Sequence, residues 1–328
     1  MKAMVITGYG GPEVFSFTER PEPIFGEFDL LVRVHATSVN PVDCRVRRGG
    51  KVPRKFPVIL GYDVSGTVVA TGEKVSSFKI GDEVYASPNV FRDGANAEYV
   101  AVDSRSVSLK PKTLDHTASA VLPLVSLTAW ESLHLRANVQ PGQFVLIHAG
   151  AGGVGHIAIQ LAKLQDCYVI TTAGRDESIQ FCKDVLKADK VIDYRTTDFV
   201  KCVMEVTDGK GCPVILDTVG EDVFVKSMDC ISINGQLVTI VPTETNLISE
   251  KLFLKNVTLH YEFMGVPTAY NLHPERQGQM LCALRKLVDS GLLKPHISHK
   301  LKLSELPKGH KLQETGHVIG KIAITVDE

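Results

Sequence analysis

The residues best suited to chemistry in this chain are Ala149-Gly150-Ala151-Gly152-Gly153-Val154-Gly155. An apolar run, Phe144-Val145-Leu146-Ile147-His148, precedes them and reads as a buried parallel strand. Val154, Ile157, Ala158, Leu161 and Ala162 follow at the spacing of one helix face. Strand, glycine-rich turn and helix start together form a cradle for a pyrophosphate. Glycine lets the backbone come close, and the free N–H groups and dipole of the helix N-terminus favour negative charge. The phosphates are expected over Ala151, Gly152, Gly153 and Val154. A second strand, Tyr168–Ala173, follows one helix length later and completes a βαβ unit, which lifts the motif above a bare glycine pattern.

The end of that second strand bears on which dinucleotide fits. An acidic residue there normally bonds the ribose hydroxyls of NAD. Here Gly174 occupies the place, with Arg175 beside it. A 2′-phosphate would clash with an acid and be held by a guanidinium. Ser178 can add a hydroxyl bond, and Tyr194, at the end of the third strand, can pack on the adenosine or donate to the phosphate. The expectation is NADP(H) over NAD(H), with Gly174 leaving room for the phosphate. Asp176 and Glu177 are the competing ribose ligands, and Arg175 as a solvated loop charge is the plainer alternative.

The elements that must position this turn follow from the rest of the chain. Its 328 residues suit two domains, and 44% hydrophobic with 22% charged residues is the composition of a soluble globular protein. A formal net charge of −1 gives no global pull toward nucleic acid or an anionic membrane. No apolar run is long enough to span a bilayer, and the N-terminus lacks the apolar core of a signal peptide. Seven scattered cysteines without Cys-x-x-Cys spacing argue against a disulfide framework and for a reducing compartment, so a cytoplasmic location is expected.

Short Val- and Tyr-rich runs at 3–7, 30–36, 66–71, 83–86 and 97–102, separated by turn signals, make the first third β-rich. Strand-like segments at 145–148, 169–173, 190–193, 213–217, 236–240 and 258–263 then alternate with helical ones, the pattern of a parallel sheet covered on both faces. The C-terminus adds a helix over 275–290 and short elements through 321–326. The fold expected is α/β: a Rossmann-type doubly wound sheet over 125–265, inserted into a β-rich domain made of 1–124 and 266–328. A cleft between such domains is the usual meeting place of cofactor and substrate.

With these features in hand, the chain resembles the medium-chain dehydrogenase/reductase superfamily, and within it the zinc-free quinone oxidoreductases related to ζ-crystallin. The residues that carry the resemblance run almost the whole length. They are Ser38-Val39-Asn40-Pro41-Val42-Asp43, Gly61-Tyr62-Asp63-Val64-Ser65-Gly66, Gly81-Asp82-Glu83-Val84, Leu127-Thr128-Ala129, the glycine turn, and Glu314-Thr315-Gly316-His317 leading to Gly320-Lys321. The resemblance implies a GroES-like β-rich catalytic domain and a homodimer formed through the edge strand near 254–263. It also implies further cofactor contacts at Arg45, Thr128, Val219, Val241, Tyr261, Phe263 and Lys321.

Zinc members of the superfamily place Cys, His and Cys around a catalytic metal. The matching positions here are Asn40, Tyr62 and Leu124, of which Leu124 offers no donor and the others poor ones, so no metal is expected. Without a Lewis acid, an unactivated carbonyl is a difficult substrate, whereas a quinone or a conjugated carbonyl already accepts hydride. Asn40 and Asp43 are the candidates for positioning acceptor and nicotinamide, with fixing of their own turn as the alternative role. Tyr62 would donate to the acceptor oxygen or simply fill volume.

One departure is Arg45, where many relatives carry a Tyr against the nicotinamide. It opens a basic stretch with Arg47, Arg48, Lys51, Arg54 and Lys55, expected to be mostly a solvated loop. NADPH-dependent quinone reduction leads, followed by reduction of the C=C bond in enals, enones or enoyl thioesters. An RNA-binding or structural role is the rival from another class, supported only by the basic stretch and opposed by the near-neutral charge.

Overall fold

A computed structural model describes residues 1–50, 55–243 and 248–326 of the protein. The chain forms two compact units, Met1–Leu127 with Gly265–Glu328, and Thr128–Met264. The expected seams at 124/125 and 265/266 therefore move to 127/128 and 264/265. The first lies within one continuous helix, Pro123–Trp130, which no composition shift marks.

The first unit is built on a mixed sheet. Its path among the described residues runs Ile297–Lys302, Lys321–Thr325, Asp29–Val39, Val64–Thr71, Glu83–Ala86 and Ser108–Leu109, and Tyr99–Asp103 also pairs with Asp29–Val39. Alternation along the long strand sends Leu30, Val32 and Val34 into a core with Val64, Val68, Val84 and Val100. The strand outlasts the expected 30–36 and ends at Val39, directly before Asn40. Its antiparallel partner pairs Ile322 with Val39, which brings Lys321 to the same end. Phe15–Glu19 and Ile297–Lys302 carry no expectation from the sequence. Both are edge strands with mostly exposed side chains, so the apolar alternation that reveals a strand is missing.

The second unit is a parallel sheet in the order Lys190–Asp193, Tyr168–Ala173, Phe144–Ile147, Cys212–Asp217, Ile231–Thr239, Thr258–Tyr261. Phe144–Ile147 pairs with Tyr168–Ala173 on one side and Cys212–Asp217 on the other, so the winding reverses there. Leu146, Ile170, Ile215, Phe224, Met228 and Leu237 pack one core of this unit at no more than 2% exposure, and the cysteines of both units are free. Among the described residues no helix is long and apolar enough to cross a membrane.

His148, last residue of the predicted first strand, is 1% exposed. It sits 3.2 Å from Thr172 Oγ1 and 3.0 Å from Ser227 Oγ through its two ring nitrogens. Burial holds its pKa down to about 3, so the folded protein keeps it neutral. The unfolded chain takes up that proton near pH 6.5, which means stability is whole above that pH and falls as pH drops toward the folded value. Chemical denaturation at pH 6.5 and pH 5 is expected to show the wild type losing on the order of 2 kcal/mol more than His148→Gln over that interval. An identical loss in both proteins would remove His148 as the cause.

Candidate active site

In the first unit, the end of the long strand opens into a closed polar network. Asn40 caps the helix Pro41–Arg47, and its backbone N–H donates to Asp43 Oδ2 at 2.9 Å. The other oxygen of Asp43 accepts the Gly61 N–H at 3.0 Å. Asn40 Nδ2 donates to Asp63 Oδ2 at 2.8 Å, and Ser38 Oγ donates to the same oxygen at 2.5 Å. Asp63 Oδ1 accepts the Leu124 N–H at 2.7 Å. Lys321 Nζ donates to Val39 O at 3.2 Å, to Asn40 Oδ1, and to Asp63 Oδ2 at 3.5 Å.

The charged and amide side chains of this network are buried: Asn40 and Asp63 at 0%, Asp43 at 1% and Lys321 at 2% exposure. Burial pushes the Asp43 carboxyl up to about 7, against the pull of the Asn40 and Gly61 N–H groups and the Lys321 ammonium. The same desolvation lowers the Lys321 pKa, with Asp63 and Asp43 opposing it. Both polar atoms of the Asn40 amide are turned inward. Asn40 and Asp43 thus have the alternative geometry, fixing their own turn. Lys321, expected at the cofactor, is spent inside its unit, because strand pairing carries it to Asn40.

Tyr62 is 0% exposed and packs with Ile6, Val46, Val58 and Leu60, so its ring fills volume in the core of its unit. Leu124 packs at the edge of the same cluster. Among the described residues no group of three or more His, Cys, Asp or Glu has a metal-binding arrangement.

The basic stretch is not a solvated loop throughout. Arg47 is 0% exposed, donates from Nε to Gly10 O at 3.2 Å, and pairs through Nη2 with Glu314, which also takes Arg48 Nε at 3.0 Å. Helix formation put it there: Arg47 lies on the inner side of Pro41–Arg47, facing the helix Leu306–Glu314. Arg45 is exposed and lines a cavity of about 430 Å³ with Cys44, Arg48, Gln313 and Glu314. Lys55 is exposed, while Lys51 and Arg54 lie outside the described residues. Arg47 is enclosed and shares Glu314 with Arg48, so the stretch presents less positive charge at the surface than its sequence suggests.

In the second unit, the glycine turn leads into the helix Gly153–Leu164 with Gly152 as N-cap and no side-chain cap. The first turn of any helix leaves N–H groups without an intrahelical partner. A Cβ at Gly150 would stand 2.1 Å from Thr171 Oγ1 and one at Gly155 2.4 Å from Ala149 O, so packing alone demands glycine at both. At Gly152 a Cβ would meet only Ala149 O at 3.2 Å, on backbone any residue adopts. The backbone oxygen of Ala149 would have to give by a few tenths of an ångström, so the fold asks for glycine at 152 less strictly than at 150 and 155. Thr172 Oγ1 accepts the Ala149 N–H at 3.1 Å, and Thr218 Oγ1 donates to His148 O at 2.8 Å, tying the turn to both neighbouring strand ends. Ala151 is buried; Gly153 and Val154 are half-buried on the first turn.

At the second strand's end, the space over Gly174 is filled: a Cβ there would lie 2.3 Å from Tyr194 Cζ. The Tyr194 ring, 60% exposed overall, takes the room expected for a 2′-phosphate. Arg175 caps the helix Asp176–Gln180, and Ser178 on that helix is only 9% exposed. Sequence reasoning missed Arg195, whose Nε and Nη2 grip Asp193 at 3.0 and 2.9 Å while Nη2 reaches Asp176 at 3.2 Å. Of the remaining candidates, Thr128 is 5% exposed, Val241 is half-buried, and Val219, Tyr261 and Phe263 are 45, 54 and 44% exposed.

A parallel sheet whose strand order reverses at a glycine turn, in a chain that also forms a unit on a mixed sheet, is the architecture of dinucleotide-binding enzymes. Residues 26–112 match the alcohol dehydrogenase GroES-like domain, and residues 186–324 match the zinc-binding dehydrogenase family. The human NAD(P)H oxidoreductase RTN4IP1, mitochondrial, is 32% identical over 99% of this chain and 89% of its own. The quinone oxidoreductase of Pongo abelii is 30% identical over 95% of this chain and 93% of its own. The crystal structure of the Escherichia coli quinone oxidoreductase complexed with NADPH superposes with a TM-score of 0.90 at 26% identity, covering 99% of this chain and 100% of that one. The chain belongs to the medium-chain dehydrogenase/reductase superfamily and is an oxidoreductase.

The polar network makes a direct test possible. Lys321→Met leaves the Asp63 carboxylate buried without its cation and Asn40 Oδ1 without a donor. Removing one partner of a buried pair costs about 3–5 kcal/mol, and removing both is much milder. Urea denaturation is expected to show the single variant destabilised by that amount and Lys321→Met/Asp63→Asn recovering part of it. No loss in the single variant would mean that the ammonium is not needed there.

Proposed function

We propose that this oxidoreductase reduces quinones with NADPH and without zinc. The observation that carries the reading is Gly152, an uncapped helix N-cap on unstrained backbone where a Cβ would meet one atom at 3.2 Å, a looser contact than at Gly150 or Gly155, and where a side chain would stand in the way of a pyrophosphate. Ala151, Gly152, Gly153 and Val154 would hold the pyrophosphate through backbone N–H groups, and Arg175 and Tyr194 would face the adenosine end. Val219, Val241, Tyr261 and Phe263 follow the next strands of the same sheet, toward the nicotinamide. When bound, the dihydronicotinamide supplies the hydride. The chain's part is to orient it and to keep the acceptor turn rigid, with Asn40 and Asp43 as positioning residues that act through the turn.

The donor set speaks against a catalytic metal. The Asn40 amide is fully engaged, Leu124 has no donor, and the Lys321 ammonium beside them would repel a cation. An acceptor that is already electron-poor, as a quinone is, suits such a site. The free cysteines support a reducing compartment. A homodimer through the edge strand Thr258–Tyr261 is supported by Phe253 and Leu254, 82 and 73% exposed nearby, and sedimentation velocity reads it directly.

NADPH oxidation followed against quinones, enals and aldehydes is expected to proceed with quinones and to survive exhaustive chelation. Turnover of enals or enones with quinones inert would assign the enzyme to conjugated C=C bonds, and activity restored only by zinc would refute the metal-free reading. NADPH is expected to bind at least tenfold more tightly than NADH, about 1.4 kcal/mol. Gly152→Val is expected to abolish binding of both cofactors with the circular dichroism spectrum unchanged. A folded Gly152→Val that binds like wild type would put the phosphate site elsewhere.

A further inference from the structure

We propose that Arg195 selects the phosphorylated cofactor, and that the carboxylate of Asp176 stands in for the ribose 2′-phosphate until the cofactor displaces it. The inference rests on the NADPH reading above. It answers a difficulty that reading leaves: Tyr194 fills the space over Gly174, and Asp176 and Glu177 put two acids next to the site meant for a dianion.

Arg195 is held from one side. Its backbone N–H and Nε donate to Asp193 Oδ1, both at 3.0 Å, and Nη2 donates to Asp193 Oδ2 at 2.9 Å. That grip fixes the guanidinium just past the strand Lys190–Asp193, next to the tyrosine that covers Gly174. Across the corner, Nη2 touches Asp176 Oδ1 at 3.2 Å, and Asp176 is the residue after Arg175 at the start of its helix. The guanidinium thus already holds an anionic oxygen at the end of the second strand, where the ribose lies in a βαβ dinucleotide site.

The two contacts are unequal. The Asp193 side chain is 21% exposed and makes a forked contact, whereas the Asp176 side chain is 97% exposed and makes a single long one. A solvent-exposed single ion pair contributes little. A phosphate brings about two charges and three acceptor oxygens to a guanidinium that Asp193 already holds in place and whose outer Nη N–H groups face the corner, so it displaces a lone carboxylate. The Asp193 grip remains and keeps Arg195 in place. Asp176 then swings into solvent, which its exposure permits.

The test is titration of the whole protein with NADPH, NADH, 2′,5′-ADP and 5′-AMP, in wild type, Arg195→Ala, Arg195→Lys, Asp176→Asn and Arg195→Ala/Asp176→Asn. Arg195→Ala is expected to weaken NADPH and 2′,5′-ADP about tenfold while leaving NADH and 5′-AMP within about twofold. Arg195→Lys, which keeps charge but loses the fork, is expected to fall between. Asp176→Asn is expected to tighten NADPH about threefold or more, and to have no such effect in the Arg195→Ala background. Equal weakening of both cofactors by Arg195→Ala overturns the proposal. So does weaker NADH binding in Asp176→Asn, which would make Asp176 a ribose ligand, and so does tightening that persists without Arg195, which would reduce Asp176 to simple repulsion. Wild type that binds NADPH and NADH alike would instead refute the NADPH reading itself, and that is visible before any variant is compared.

Discussion

The reversal of strand order beside Phe144–Ile147 is the constraint on which the second unit depends. Strands that wind outward from one central strand in both directions leave their connecting loops diverging at the carboxyl edge, and the gap is where a ligand enters. Here the loops at that gap are not left loose. Thr172 and Thr218, from the strand on one side and the loop following the strand on the other, bond the backbone at Ala149 and His148. Asp217, buried at 0% exposure, accepts the N–H groups of Val219 and Gly220 at 3.0 and 2.9 Å and so shapes the loop facing the turn. The glycine backbone is preorganised before any ligand arrives, and the ordering cost of binding falls accordingly.

The first unit solves a different problem, the burial of charge. An ammonium and two carboxylates share one small volume, and each is satisfied by groups that arrive from distant parts of the chain. Gly61 and Leu124 contribute backbone N–H groups, and Ser38 and Asn40 contribute side chains. Such networks are costly to bury and rigid once satisfied. Rigidity of the Asn40 turn would serve the proposed zinc-free hydride transfer, in which proximity and orientation are most of what the protein offers.

The charges near both sites illustrate how far a side chain's role depends on its surroundings. Arg47 and Arg45 are two residues apart in one helix, yet one is enclosed by Gly10 and Glu314 and the other is exposed at a cavity. The sequence suggested open space over Gly174 for a phosphate, whereas in the folded protein the Tyr194 ring rests on the glycine and takes the space itself. The acid beside Arg175 looked like a rival for the cofactor's ribose. In the folded protein it is engaged by Arg195, twenty positions from Arg175.

The amino-acid sequence by itself determined the βαβ unit and its glycine turn, and the alternating strands and helices of the second unit. These are local properties: an apolar period and a glycine-rich run between a strand and a helix. Only tertiary structure decided where Lys321 points, that Arg47 is enclosed, that Tyr62 is wholly buried, and that Arg195 reaches Asp176. Each depends on a pairing across tens or hundreds of residues, such as Ile322 against Val39, and no local period encodes which partner a polar side chain will meet. Apolar residues announce their burial by their spacing, whereas a charged residue is defined by what the fold brings to it.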